Sequence, residues 1–169
     1  MTISIEPLAE NDVDALCARA REIWRAHYPA IIGAAQTEYM LAQRYDRSVI
    51  LGELARDDVW WDVLREDASM VAFASSIAEN EVELKLDKLY VHPSRQRRGF
   101  GAMLIEHTCA RAIVRGFHAV ILAVNKHNHT AIAAYRKHGF EVRESVVKDI
   151  GGGFVMDDYV MARKMRAIS

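Results

Sequence analysis

The stretch Gln96-Arg97-Arg98-Gly99-Phe100-Gly101-Ala102-Met103-Leu104 decides how this chain folds and what it can hold. Two glycines one residue apart stand behind basic residues. In front of them runs an apolar face at helical spacing, made of Leu104, Ile105, Cys109, Ala112 and Ile113. That spacing predicts a helix from Gly99 to about Arg115, ended by Gly116. The first turn of a helix presents backbone N–H groups without intrahelical partners, at the positive end of the helix dipole. Glycine has no Cβ, so an anion can approach such N–H groups closely. Arg95, Arg97 and Arg98 add positive charge at the same point. The stretch reads as a cradle for a pyrophosphate. It is neither a P-loop, which needs GxxxxGK[ST], nor a dinucleotide fingerprint, which needs a third glycine. A bare GxG also fits a tight turn, so the rest of the chain has to decide.

Upstream of the glycines, "VWWDVLRED", "SMVAFASSIAE" and "EVELKLDKLYVHP" are strand-like runs joined by short polar turns, as in an antiparallel meander. Before them lie a short strand, "TISIEPL", and helical stretches at Glu10 to His27, Gln36 to Tyr45 and Ser48 to Leu54. Asn11 or Asp12 is placed to cap the first of these helices, and Pro29 to end it. Downstream, "HAVILAV" is a continuous apolar strand of the kind covered on both faces. A helix follows from Asn128 to His138, with Gly139 as its stop. "FEVRESVVKDI", the turn "GGG" and "FVMDDYVMARKM" form a closing hairpin. The expectation is one α/β domain over residues 1–169: helices first, a meander, then strand, helix, strand, helix and hairpin.

Composition narrows the function. Lys and Arg number 22 against 23 Asp and Glu, a formal net charge of −1, which argues against a general nucleic-acid binder. "RQRR" at Arg95 to Arg98 is short and has no aromatic stacking platform beside it. Cys17 and Cys109 stand alone in helical sequence and read as buried thiols in a reducing compartment. The polar beginning "MTISIEPLAENDVD" has no apolar core of a signal peptide, and no apolar run is long enough to span a bilayer. These observations predict a cytoplasmic protein with no membrane partner. The "HNH" of His127 to His129 lies in a loop without carboxylates and reads as solvent-facing residues, so no metal is expected. No GxSxG elbow is present.

Gln96 to Gly101 matches the Q/R-x-x-G-x-G/A pattern of the GNAT acetyltransferase superfamily, and "LDKLYVHP" before it resembles that family's central strand. "NHTAIAAYRKHGFE" resembles its second motif, with Asn128, Ala131, Tyr135 and Gly139-Phe140 at the family spacing. The resemblance spans Leu84 to Glu141. It implies a mixed, mostly antiparallel central sheet of six to seven strands flanked by helices. It also implies acetyl-CoA as co-substrate. The pyrophosphate would rest on Arg97, Arg98, Gly99, Phe100, Gly101 and Ala102, and the pantetheine would pair with the backbone of Leu89, Tyr90 and Val91.

The second motif makes independent sense. Asn128, Ala131 and Tyr135 share one helix face, and Ala131 is small enough to let a ligand lie against it. By the resemblance Tyr135 is the acid that protonates the departing thiolate; a phenol with a reference pKa of about 10 suits such a leaving group.

The acceptor amine needs a base, and the strand carboxylates are Glu81, Glu83 and Asp87. Many family members have a glutamate near the position of Lys85; this chain departs from that, and Glu83 is the first choice, with Asp87 behind it. Trp24, Tyr28 and Tyr39 either line an acceptor pocket or pack in the core, and Asp157 and Asp158 either attract a cationic amine or stand as solvated charges. The end segments loosely resemble bacterial polyamine acetyltransferases of the spermidine type. The expected activity is direct acetyl transfer to a primary amine of a small molecule. The other readings are a longer acyl donor, a protein or peptide N-terminus as acceptor, a non-catalytic acyl-CoA sensor, and a small nucleic-acid module using "RQRR". Family members are often dimers, and Phe154, Val160 and Met161 offer apolar surface for a homodimer.

Overall fold

The computed structural model describes residues 1–166. In chain order the elements are β1 (Ile3–Pro7), α1 (Val13–His27), α2 (Pro29–Ile32), α3 (Ala34–Arg44), α4 (Arg47–Leu54), β2 (Val59–Glu66), β3 (Ser69–Ala78), β4 (Glu83–Val91), α5 (Phe100–Val114), β5 (Ala119–Asn125), α6 (His129–Lys137), β6 (Glu141–Gly151) and β7 (Phe154–Lys164). The strand order among the described residues is β1-β2-β3-β4-β5-β7-β6. β1 with β2, β2 with β3, β5 with β7 and β6 with β7 are antiparallel; β4 with β5 is parallel. This is the mixed, mostly antiparallel sheet with helices that the resemblance implied. Among the described residues, no helix is long and apolar enough to cross a membrane.

The chain divides into two compact units. One holds Met1–Ile77 and Lys88–Leu104; the other holds Ala78–Asp87 and the chain from Ile105 onward. β4 and α5 therefore run through both.

The first unit is built on helices α1 to α4 and strands β1 to β3. Val13, Leu16, Cys17, Ala20, Ile23 and Trp24 of α1 are buried, the face that helical spacing predicted. Trp24 joins an aromatic cluster. Its ring centroid lies 4.3 Å from Tyr28 and 5.7 Å from Tyr45, and Phe73 lies 6.0 Å from Tyr45 and 5.7 Å from Tyr90. Phe73 and Tyr45 are fully buried, so truncating either ring to Ala costs about 3–5 kcal/mol. Lys88 of β4 is also buried, which is costly for an ammonium unless the charge is compensated. Glu53 of α4 lies 4.0 Å from its Nζ, and the Trp61 and Tyr45 rings lie 5.1 and 5.9 Å away. Those contacts fasten α4 to the strands.

One expectation about α1 changes, at its start, while its end at His27, ahead of Pro29, is as expected. A short 3₁₀ turn, Glu10–Asp12, precedes it, and Asp12 occupies the N-cap position without a side-chain cap bond. Its carboxylate instead accepts from Arg65 Nη2 at 2.9 Å. Pro29 is the first residue of α2, where its missing N–H has no helical partner to lose.

In the second unit β7 lies between β5 and β6, so the last strand is interior and β6 is the edge. Of the three apolar residues expected on a dimer surface, Met161 of β7 is fully buried, whereas Phe154 and Val160 are half-buried. β5 buries Val120, Ile121, Leu122 and Val124, but Ala123 is exposed, so one face of this strand is open at its middle. Cys109 is buried on α5, and burial pushes its thiol up to about 11. Cys17, buried in the first unit, is raised for the same reason. Neither has thiolate character.

Candidate active site

The loop between β4 and α5 belongs to the first unit and is anchored at several points. The N–H of His92 donates to the carbonyl of Val71 at 2.8 Å. The His92 ring contacts Glu22 Oε2 through Nε2 at 3.0 Å and Ser94 Oγ through Nδ1 at 2.7 Å. Gln96 Nε2 donates to the carbonyl of Val91 at 3.3 Å. Arg95 Nε donates to Glu66 Oε1 at 3.1 Å, and Arg98 Nη2 lies 2.5 Å from Glu66 Oε2. The Arg98 guanidinium also lies 5.0 Å from the Phe100 ring centroid, and Phe100 is buried at the start of α5. Two of the three arginines read as free positive charge are thus joined to one carboxylate at the end of β2. The two guanidinium groups, Arg98 foremost, hold the Glu66 carboxyl below its usual range. Glu66 gave no signal in the sequence, because its partners lie about thirty positions away and no local spacing links them.

Arg97 is exposed and has no carboxylate partner among the described residues. Its φ is +64°, and Gly99 has φ +83°, while Arg98 between them does not. Alternation of φ sign turns successive N–H groups into a concavity that accepts an anion. Arg97 holds a conformation that costs a non-glycine residue free energy, as happens where a backbone is shaped for a ligand. A Cβ added at Gly99 would meet nothing within 4 Å, and one added at Gly101 would meet only Val91 Cγ2 at 3.7 Å. The side-chain space at both glycines is therefore open. The residues fit a pyrophosphate.

The second unit carries the other motif. Asn128 is the N-cap of α6, and its Oδ1 accepts from the N–H of Ala131 at 3.4 Å. Its side chain therefore has a capping duty, which is one physical reason for an Asn three residues before Ala131. Gly139, at φ +85°, ends α6. The turn brings the N–H of Phe140 to the carbonyl of Tyr135 at 3.1 Å, with the two rings 5.8 Å apart and nearly edge to face. Phe140 is buried and Tyr135 half-buried. The Tyr-x-x-x-Gly-Phe spacing thus fixes the Tyr135 ring against a core side chain.

β4 and β5 pair at Glu83 with Ala119, Leu84 with Val120 and Lys85 with Ile121, and the ladder stops there although both strands continue. Beside this short ladder lies a cavity of about 230 Å³, lined by residues including Glu79, Glu83, Lys85, Ala123 and Arg143. Glu83 is not a free base. Its carboxylate accepts from Arg143 Nη1 and, at 3.2 Å, from Asn80 Nδ2. The bond to Arg143, above all, holds the Glu83 carboxyl below its ordinary value. Asp87 lies 3.9 Å from Lys85 Nζ, and Glu81 is exposed.

The other sequence candidates divide. Trp24 is buried in the aromatic cluster, which is the core use of the residue. Tyr28 and Tyr90 are half-buried and their hydroxyls lie 3.1 Å apart. Tyr39 accepts from Gln43 Nε2 at 3.1 Å. Asp157 pairs with Lys126 at 2.5 Å, and Asp158 is buried. His127 and His129 are exposed, with rings 6.3 Å apart. Among the described residues no group of three His, Cys, Asp or Glu side chains could hold a metal ion.

Residues 17–140 match the acetyltransferase (GNAT) family. The chain is 27% identical over 164 residues to spermidine N(1)-acetyltransferase of Thermoplasma acidophilum, covering 93% of this chain and 97% of that protein. It is 39% identical over 77 residues to the [ribosomal protein bS18]-alanine N-acetyltransferase of Salmonella typhimurium, covering 46% and 51%. Its fold resembles the crystal structure of the PaiA N-acetyltransferase from Thermoplasma acidophilum in complex with coenzyme A. The TM-score is 0.84 with 24% identity, over 97% of this chain and 99% of that one. With the glycine loop, the Tyr-x-x-x-Gly-Phe turn and the sheet order all in agreement with the match over residues 17–140, the chain belongs to the acetyltransferase (GNAT) family and is an N-acetyltransferase of that type.

Proposed function

We propose that this enzyme transfers the acetyl group of acetyl-CoA to a primary amine of a small molecule, with a polyamine as the favoured acceptor. The observation that carries the donor side is the φ alternation from Arg97 to Gly99, beside glycines whose Cβ positions are open. Acetyl-CoA supplies an activated thioester. The N–H groups of Arg97 to Ala102 and the Arg97 guanidinium hold its pyrophosphate, and the backbone of Leu89 to Val91 holds its pantetheine. Asn128 caps α6 and Ala131 keeps its first turn narrow. The amine nitrogen attacks the thioester carbonyl carbon. The C–N bond forms, the C–S bond breaks, and its electron pair leaves on sulfur. Tyr135 donates its phenolic proton to that sulfur and is reprotonated from solvent, and the attacking nitrogen releases its extra proton to solvent as it becomes the amide. No acyl-enzyme is needed, since the two thiols are buried with raised pKa values.

The base is the step where sequence and geometry diverge. A carboxylate held low by Arg143 is a poor proton acceptor, so Glu83 is better suited to keep Arg143 in place than to deprotonate an ammonium. The amine then loses its proton to solvent before attack, and kcat/KM rises with pH as the acceptor deprotonates.

The polyamine reading is supported by the match to the Thermoplasma enzyme over nearly the whole chain. A peptide N-terminus is the second reading, supported by the higher identity to the bS18 enzyme over fewer residues. The deciding experiment measures free thiol released from acetyl-CoA with polyamines, amino acids, aminoglycosides and N-terminal peptides as acceptors. Turnover with spermidine or a related polyamine supports the proposal. Turnover with peptides alone replaces it, and tight CoA binding without turnover leaves the acyl-CoA sensor. Cell fractionation tests the accompanying expectation of a cytoplasmic location.

A further inference from the structure

The hydrogen bonds around the His92 ring, at the start of the glycine loop, have one direction. His92 is the N-cap of a 3₁₀ turn, Pro93–Arg95, and its Nδ1 accepts from the backbone N–H of Ser94 at 3.2 Å. A backbone N–H only donates, so Nδ1 carries no proton. A ring with a bare Nδ1 is neutral, and its single proton sits on Nε2, aimed at Glu22 Oε2 3.0 Å away. Ser94 Oγ, 2.7 Å from Nδ1, then donates to that same nitrogen and accepts in turn from Arg95 Nη1 at 3.2 Å. The protons of Arg95, Ser94 and His92 thus run one way and end on the carboxylate of Glu22, in α1. The bond to His92, above all, holds the Glu22 carboxyl below its ordinary value, so it stays a charged acceptor.

Glu22 has the wrong charge for a residue beside an anion site. It is exposed, seventy positions from His92, and its other partner is Arg19 of its own helix at 3.1 Å. Its carboxylate repels a pyrophosphate, so any service it gives to the loop is one of orientation. The turn that His92 caps leads through Gln96 into Arg97, whose φ of +64° begins the cradle. We infer that Glu22 is a positioning residue of the donor site: it fixes the tautomer and plane of the His92 ring, the ring fixes the Pro93–Arg95 turn, and the turn fixes where the cradle begins. This rests on the reading of that loop as a pyrophosphate cradle. A group that acts only through another still sets how precisely a site is held.

Charge and orientation predict opposite signs, which calorimetric titration of acetyl-CoA into the full chain reads. Glu22→Ala removes a negative charge, and if charge were its only effect affinity would rise, most of all at low salt. Orientation requires affinity to fall by about three- to tenfold, the usual net worth of one hydrogen bond. Glu22→Gln removes the same charge but keeps an oxygen that accepts from Nε2, so it should bind within about twofold of wild type. His92→Asn offers a side-chain oxygen to the Ser94 N–H and has no tautomer to set, so in that background Glu22→Ala should lose its effect. Nitrogen NMR of the imidazole rings, with His92 identified by its absence in His92→Asn, should show the proton on Nε2 in wild type. A proton on Nδ1 overturns the inference. So do unchanged or tighter binding by Glu22→Ala, an equal loss in Glu22→Gln, or a Glu22→Ala effect that survives His92→Asn. Gly101→Val is the control for the cradle itself. If it weakens binding and Glu22→Ala does not, the positioning role alone fails; if it binds as wild type does, the cradle reading fails and the positioning role with it.

Discussion

The glycine loop and helix α6 carry two comparably clear motifs, to which the proposed mechanism gives opposite means. In that proposal the loop acts through its backbone. Its N–H groups are shaped by φ at Arg97 and Gly99, and Arg95 and Arg98 anchor it to Glu66. In the same proposal α6 acts through one side chain, Tyr135, whose place is fixed by the turn at Gly139 and the ring of Phe140 in a helix that Asn128 caps. A backbone site should tolerate loss of most side chains and fail when a side chain is added. A side-chain site should fail when a single atom is removed.

The largest expected effect falls on α6. Tyr135→Phe keeps the ring against Phe140 and removes only the hydroxyl. The turnover number should fall by roughly 10²–10⁴, the usual worth of a general acid, while KM for acetyl-CoA changes little. Steady-state kinetics beside a CoA titration of the same protein checks this. If turnover stays within about twofold of wild type, a water or the substrate supplies the proton and the comparison collapses.

Next comes the loop. Gly101 has ordinary negative φ, and its added Cβ would touch only Val91, so Gly101→Val should fold. The branched side chain would stand over the N–H groups, and calorimetry should read an affinity for acetyl-CoA weaker by about tenfold, near 1.4 kcal/mol. Unchanged affinity would mean that the loop is only a turn.

A smaller effect separates anchoring from charge. Glu66→Gln releases Arg95 and Arg98 from their shared carboxylate. If the loop depends on being held in place, KM for acetyl-CoA rises severalfold at constant turnover number. If free positive charge matters more, affinity improves, most of all at low salt.

The smallest effect is in pH. Glu66 has a folded pKa below its reference of 4.5. A depressed acid contributes stability that is fully present above the unfolded value and is lost as pH falls through the folded one. The difference in melting temperature between wild type and Glu66→Gln should therefore be constant above about pH 5 and shrink below 4.5. A difference that persists at lower pH would show that the carboxylate charge is not what holds the loop.

The sequence alone determined what is local. Helical spacing located α1, α3, α5 and α6 within a few residues, since a helix closes its bonds over four positions. The glycines of the loop and the Asn128 to Phe140 spacing were legible for the same reason: caps, φ signs and turns depend on neighbours in the chain. The tertiary structure decided whatever joins distant positions. It gave Arg95 and Arg98 to Glu66, Glu83 to Arg143, and Asp12 to Arg65. It also placed β7 between β5 and β6, burying Met161 and leaving β6 as the edge. Charged side chains are long and interchangeable, so nothing in local spacing selects one partner over another. Only the register of the folded strands brings a particular carboxylate within reach of a particular guanidinium.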